Sequence, residues 1–286
     1  SDQATTYEGA EFGYIGQAKG VARGYQFALA QLAGSSDSLA LGGFLHSGKT
    51  VSLHCLAELV SLVEARLGRP RRRVEVVEAR VAAAEQELAD VEAAVIKETA
   101  SRTPRQHRLE RLGEQAVRKW EVVARLRARR DELAADNTAN ALPRRILLRM
   151  DGGFGGGARL AWLYEQGYDF VTRGHSHQTA DSLRGEAGLA WEKVGKNEYI
   201  AESKRTTLGE CPYPMRLFAC RQERREGQSE RWTTLIVNPE LSAKAWPVRR
   251  VGVFYNARQG SEATIKEEKG LFASRHLPTR HQAGIA

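Results

Sequence analysis

Two stretches of apolar residues spaced at three and four, separated by one polar break, constrain the fold of this chain more than any other feature. From residue 74 to 95, Val74, Val77, Val81, Ala84, Leu88, Val91 and Val95 form a heptad seam, the spacing that keeps one helix face apolar. The polar segment KETASRTP then interrupts the pattern. In the second stretch Leu112, Ala116, Val123, Leu126 and Leu133 restore it, with Lys119 and Arg130 breaking the seam. Two helices joined by so short a break most simply fold back on each other. The expectation is an antiparallel coiled-coil hairpin roughly 40 Å long, at about 1.5 Å rise per residue, inserted into a different domain.

The flanking sequence indicates what that domain is. Before the hairpin, GYQFALAQLAG and LALGGFLHSG read as antiparallel strands joined by tight turns. Residues 50 to 67 then place Leu53, Leu56, Val60 and Val63 on one helix face. After the hairpin, RRILLRMDGGFGG is an apolar strand ending in Asp151 and a glycine turn, followed by the helix-like RLAWLYEQG and the strand-like YDFVTRG. Strand, helix, strand implies an α/β core with Asp151 at the carboxyl end of its strand, where functional groups of open sheets gather. Residues 178 to 247 carry short strands such as RLFACRQ and RWTTLIV and read as a β-rich insertion. VRRVGVFYNARQGSEATIKEEKGLF reads as a strand-like entry into a polar helix.

Composition narrows the class of partner. Forty-three Lys and Arg against thirty-five Asp and Glu leave a net charge of +8, which favours a polyanionic partner such as nucleic acid. Much of the excess lies in RPRRR, residues 69 to 73, and in the Arg-rich helix around residues 105 to 130. No run approaches the roughly 18 apolar residues of a membrane helix, and no secretory leader is present, so the expected location is cytoplasmic. Three cysteines without CxxC spacing suggest neither a disulfide framework nor a zinc site. The five tryptophans are scattered, and core or interface packing is their default. The chain begins at Ser1 and stops at AGIA soon after a helix-like run, and reads as a fragment.

GFLHSGKT, residues 43 to 50, fits the phosphate-loop pattern at every fixed position. In a P-loop NTPase, Lys49 would meet nucleotide phosphates, Thr50 would hold magnesium, and Asp151 would serve as the second acid. Against this, Phe44, Leu45 and His46 are bulky where a phosphate nest needs close backbone approach, and Arg149 would sit in a strand expected to be buried on both faces. The preferred reading is a turn before a helix, with Ser47 or Thr50 as its cap.

A second constellation competes with it. Tyr255, Arg258, Glu262, Lys266 and Lys269 fall near one helix face, since intervals of three, four and seven return to the same side. Glu262 with Lys266 is also an ordinary surface ion pair in the making. Asp151 ends a strand and Asp2 lies among threonines near the start. Three carboxylates from distant parts of a chain suit two hard divalent cations about 4 Å apart, which stabilise attacking and leaving oxygens at phosphorus.

YNARQGSEATIKEEK resembles the Tyr-x2-Arg-x3-Glu-x6-Lys signature of a subgroup of DDE transposases of bacterial insertion sequences, matching all four positions. RMDGGFGG with YDFVTRG resembles the segment around that family's second aspartate, and GYQFALAQLAG the strand after its first. The resemblance spans about residues 1 to 65, 145 to 177 and 250 to 282. It implies an α/β, RNase H-like (retroviral-integrase-like) core in which Asp2, Asp151 and Glu262 are catalytic and hold two Mg²⁺ ions, with Mn²⁺ as a substitute. Tyr255, Arg258 and Lys269 would contact phosphates near the cleaved end; apart from the resemblance, Lys266 on the same helix face is a further DNA contact, and Arg173, after the strand YDFVTRG, reads either as another or as a surface arginine. The implied partners are transposon ends and target DNA, with a homodimer in a synaptic complex, in a bacterial, nucleoid-associated setting.

On this reading residues 1–68 begin the core, 69–137 are the hairpin, 138–177 surround the second aspartate, 178–247 are the β-rich insertion and 248–286 carry the glutamate. Glu8 and Glu11 are weaker substitutes for Asp2, and His175 and His177 read as turn residues near the site. The alternatives are the P-loop NTPase and an inactive, DNA-binding transposase remnant.

Overall fold

A computed structural model describes residues 11–14, 21–34, 38–47, 55–224 and 229–257. Asp2, Glu8, Lys49, Thr50, Arg258, Glu262, Lys266 and Lys269 lie outside them. The chain divides into two compact units. One comprises Ser1–Arg69, Ile146–Ala161 and Asp169–Ala286; the other comprises Pro70–Arg145 and Trp162–Tyr168.

The first unit is mixed α/β. β1 (Glu11–Tyr14), β2 (Val21–Ala33) and β3 (Ser38–Ser47) form an antiparallel sheet in that order, and α1 (Leu56–Leu67) packs against β2 and β3. Leu56, Leu59, Val60 and Val63 are the buried face of α1, at the three-and-four spacing of an amphipathic helix. Gly43–Ser47 are strand, not turn: Gly43 faces Leu29, Phe44 faces Ala28 and Ser47 faces Tyr25. Alternate bulky residues suit a pleated ladder.

The second sheet has six strands, in the order β4 (Leu147–Met150), β5 (Asp169–Arg173), β9 (Arg231–Val237), β8 (Arg216–Gln222), β7 (Glu198–Glu202) and β6 (Glu192–Gly195). β4 and β5 are parallel, connected through α4 (Gly157–Glu165), as a crossover requires. Every other pairing is antiparallel. The β-rich stretch therefore continues the sheet that carries Asp151, and it includes a helix, α5 (His177–Arg184), packed on β8 and β9.

Alternation sets the faces. Val171, Ile200, Phe218, Leu235 and Val237 share one cluster with Val251 and Tyr255 of α6 (Val248–Asn256), as period-two strands under a helix demand. α6 corrects the expected strand-like entry at residue 248. Pro247 stands at its N-cap, where a missing N–H and fixed φ cost nothing, and Val251, Gly252 and Tyr255 are its buried residues. Its approach is pinned by Arg216, which pairs with Glu202 through two contacts of 2.7 and 2.8 Å and donates to the carbonyls of Leu241 and Trp246. Between β5 and β9, fully buried Asn238 accepts from Phe170 N at 2.9 Å and donates to Asp169 at 3.1 Å.

β4 is an edge strand among the described residues and only Met150 in it is buried. Burial on both faces, which the P-loop reading would require of this strand, is thus not found. Arg149 is accommodated by donating to the Phe254 carbonyl at 3.1 Å, with its guanidinium over the Phe254 ring.

The second unit is built on α2 (Val74–Thr99) and α3 (Gln106–Ala139). Val77, Val81 and Ala84 pack with Val123, Leu126 and Leu133. The pairs Arg72–Asp136, Glu85–Arg127, Glu87–Lys119 and Glu98–Arg108 run in opposite directions along the two helices, so the helices are antiparallel. Lys119, which breaks the apolar seam, is thereby paired across the hairpin. Trp120 departs from the packing expected of it and is 62% exposed.

The basic run 69–73 is partly structural. Arg72 is 6% exposed, exchanges two hydrogen bonds with Asn137, pairs with Asp136 and donates to the Gln166 carbonyl. Arg73 donates to the Tyr164 and Tyr168 carbonyls. Glu165, also buried, receives Arg129 at 3.0 Å and Arg80 at 3.4 Å. Buried guanidinium groups must be paired in this way, which removes these arginines from the charge on offer to a partner.

Leu133 is 1% exposed in the hairpin seam, at the end away from the turn between α2 and α3. Leu133→Ala is expected to destabilise the protein by about 2–5 kcal/mol, measured by urea denaturation; a change under about 0.5 kcal/mol would show that the seam does not carry the stability of this unit.

Candidate functional site

The candidate site forms where β4 and β5 end side by side. Asp151 follows the last residue of β4 and is exposed. It caps a short 3-10 turn over Gly152–Phe154, its carboxylate accepting from Gly152 N at 2.6 Å. Across the parallel pair, Thr172 is buried and its hydroxyl donates to the Asp151 carbonyl at 3.2 Å.

The glycines after Asp151 are required by close approach. A Cβ on Gly155 would lie 2.1 Å from the Arg173 carbonyl oxygen, and one on Gly157 would lie 1.8 Å from that of Gly209. Both obstacles are backbone, so the run GGFGGG lets the turn press onto the end of β5 and fixes where Asp151 stands.

Arg173, the last residue of β5, connects this turn to α6. Its stem lies along Gly152, with Cδ 3.4 Å from where a Cβ would be, and its guanidinium sits 5.8 Å from the centroid of the Tyr255 ring, within cation–π range. Its Nε is buried and has no hydrogen-bond partner among the described residues, a donor whose desolvation is offset only when an acceptor arrives. Two of the residues singled out from sequence, Arg173 and Tyr255, thus meet, beside the turn that follows Asp151. Tyr255 itself is 4% exposed, so its ring forms part of the floor there.

Sequence reasoning missed the arginines around them. Arg231 and Arg221 share a small cleft with Arg173 and Tyr255. Arg224, Arg231, Ser176, His177 and Trp232 line an adjoining cavity of about 290 Å³ that Arg173 also reaches. His175 and His177 are exposed, in and just after the loop that follows β5. The available signal was the charged segment RQERREGQSER between β8 and β9. Arg221 is already engaged, with Glu223 at 3.6 Å, Glu230 at 3.8 Å and the rings of Trp191 and Tyr199.

Cys220 lines the same cleft and is no nucleophile. Burial pushes its thiol up to about 12, with the nearby Arg173 charge acting in the opposite direction. As for GFLHSGKT, the backbone of Gly43–Ser47 is engaged in the β2–β3 ladder, and the strand belongs to a different sheet from β4. Those five residues form no phosphate nest.

The sequence model of the family described as transposase DDE domain matches residues 122–286, more than half of the 286-residue chain. The match starts within α3 and takes in Asp151, Arg173 and the whole Tyr255–Lys269 signature. No curated protein and no solved structure matches the chain.

Two outcomes follow from the packing of the site. Gly155→Ala is expected to destabilise the protein by about 1–3 kcal/mol through overpacking against the Arg173 backbone, read by thermal unfolding; unchanged stability would mean that the turn is not pressed onto β5. In the native protein at pH 8, Cys220 should resist iodoacetamide and become alkylated only in denaturant, as mass spectrometry of peptides would report, because thiolate is the reactive form. Rapid labelling of native Cys220 would contradict the raised thiol.

Proposed function

Since this chain belongs to the transposase DDE domain family, we propose that it is the catalytic core of a DNA transposase, cutting phosphodiester bonds at the ends of a mobile element and joining the freed 3′-hydroxyls to target DNA. The parallel pair β4–β5 with α4 between them is read as part of an RNase H-like core, with the helical hairpin and the β-rich segment as insertions. Asp2, Asp151 and Glu262 are the proposed catalytic carboxylates.

The observation that carries the reading is the bridge made by Arg173, whose stem lies beside the Asp151 turn and whose charge lies over Tyr255. An exposed carboxylate and a cation with an unsatisfied buried N–H suit a phosphodiester held between them. Asp151 offers hard oxygen at a strand end, the donor type that Mg²⁺ takes. Bound divalent ions, Mg²⁺ with Mn²⁺ as a substitute, would supply positive charge at the attacking and leaving oxygens.

The chain's own groups do the rest. Gly152 N–H holds the Asp151 carboxylate in one orientation, Arg173 neutralises and positions a phosphate, and Tyr255 presents a ring against which that arginine is held. Arg258, Lys266 and Lys269 extend the phosphate contacts along the strand, and Arg224 and Arg231 widen them beyond the signature. Such contacts give affinity and register rather than sequence choice. A homodimer in a synaptic complex completes the proposal, and α3 presents exposed Val117 and Trp120 that suit a second protein surface.

The experiment uses the protein with a plasmid bearing the flanking sequences of its own gene, in Mg²⁺. Asp151→Asn and Glu262→Gln are each expected to reduce strand cleavage by about 10³-fold or more, a loss of several kcal/mol of transition-state stabilisation, with DNA affinity nearly unchanged. Wild-type cleavage by Asp151→Asn would sink the proposal. Salt-dependent DNA binding without any cleavage by the intact protein would favour the inactive remnant instead.

A further inference from the structure

His46, Cys55 and Glu58 bring one nitrogen, one sulfur and one oxygen close together where β3 ends and α1 begins. His46 is the next-to-last residue of β3, Cys55 precedes the first turn of α1, and Glu58 follows three residues later on the same side of that helix. Their potential ligand atoms all lie within 4.8 Å of one another. His46 Nε2 is 3.1 Å from a Glu58 carboxylate oxygen, yet this nitrogen is buried without a hydrogen bond of acceptable geometry. Cys55 is 2% exposed, while the Glu58 side chain is half exposed and the His46 side chain 19%.

We propose that these three residues bind a transition-metal ion of the zinc class. Imidazole, thiolate and carboxylate are the zinc donor types, at bond lengths of about 2.0–2.3 Å in tetrahedral geometry. Those lengths place neighbouring ligand atoms about 3.5 Å apart, close to the 3.1 Å between His46 and Glu58 and inside the 4.8 Å that spans all three. A sulfur donor selects against Mg²⁺, which takes oxygen, so this site is chemically distinct from a carboxylate centre. Three protein ligands leave one tetrahedral position for water or a further group. The ion fastens the end of β3 to the start of α1, two elements already in contact, and adds its binding free energy to the stability of that sheet and helix. The competing arrangement is a histidine–glutamate pair beside a buried thiol, with no metal.

Cobalt(II) separates the two. After removal of metals with EDTA, titration with Co²⁺ is expected to bind one equivalent in a tetrahedral, sulfur-ligated site, giving a thiolate-to-cobalt charge-transfer band in the near ultraviolet. Oxygen-only sites give no such band, and Cys211 and Cys220 are excluded as its source if Cys55→Ser removes it. Zn²⁺ should displace the cobalt and raise the thermal midpoint. Glu58→Gln, at an exposed position, should leave unfolding of the metal-free protein unchanged and weaken Co²⁺ binding by about 10-fold or more. Absence of the band, its persistence in Cys55→Ser, or unaltered Co²⁺ affinity in a folded Glu58→Gln would each overturn the site.

Discussion

The architecture of the α/β unit depends on β5. Its residues Asp169 to Thr172 are buried and Arg173 is half-buried, so its backbone N–H and C=O groups must be satisfied by strands on both edges. β4 supplies one edge in parallel and β9 the other in antiparallel fashion. This single strand therefore joins a parallel α/β motif to an antiparallel meander. Asn238 strengthens the junction by bonding to both Asp169 and the Phe170 amide, the kind of buried polar group that is costly to leave unpaired.

The site inherits its geometry from that strand. Because β4 and β5 run in the same direction, Asp151 and Arg173 emerge at the same end of the sheet. The glycine turn can then lie on the β5 backbone, and the α6 helix, pinned through Arg216 and Trp246, brings Tyr255 under the guanidinium. Charge in the rest of the molecule is divided by burial. Arg72, Arg73 and Arg129 are consumed inside the helical unit, whereas Arg224 and Arg231 are exposed around the cavity beside β5. Net charge alone could not distinguish these two uses.

Much of the fold was legible where one periodicity dominates. The seam from Val77 to Leu133 and the apolar face of α1 follow from spacings of three and four, and the order strand, glycine turn, helix, strand around Asp151 follows from composition changes over a few residues. Legibility failed where local signals conflict. VRRVGVFY is rich in β-branched and aromatic residues yet forms α6, because burial of Val251 and Tyr255 against the sheet outweighs intrinsic preference. GFLHSGKT satisfied a short motif, but Phe44 and His46 belong to a ladder with β2. The RPRRR run counted toward the basic excess that favours a polyanionic partner, and only acceptors distant in sequence, Asp136 and the carbonyls of Tyr164, Gln166 and Tyr168, turned two of its arginines inward.

By itself the sequence determined the helical hairpin, the position of Asp151 at a strand end and the Tyr-Arg-Glu-Lys spacing, since each depends on residues within one or two turns or a single strand of each other. Tertiary structure alone decided that β9 would lie against β5, that Arg173 would reach Tyr255, and that His46 would meet Cys55 and Glu58. Those meetings depend on strand order and on which backbone groups find partners when the sheet closes, a choice made by the whole unit, and no local pattern encodes it.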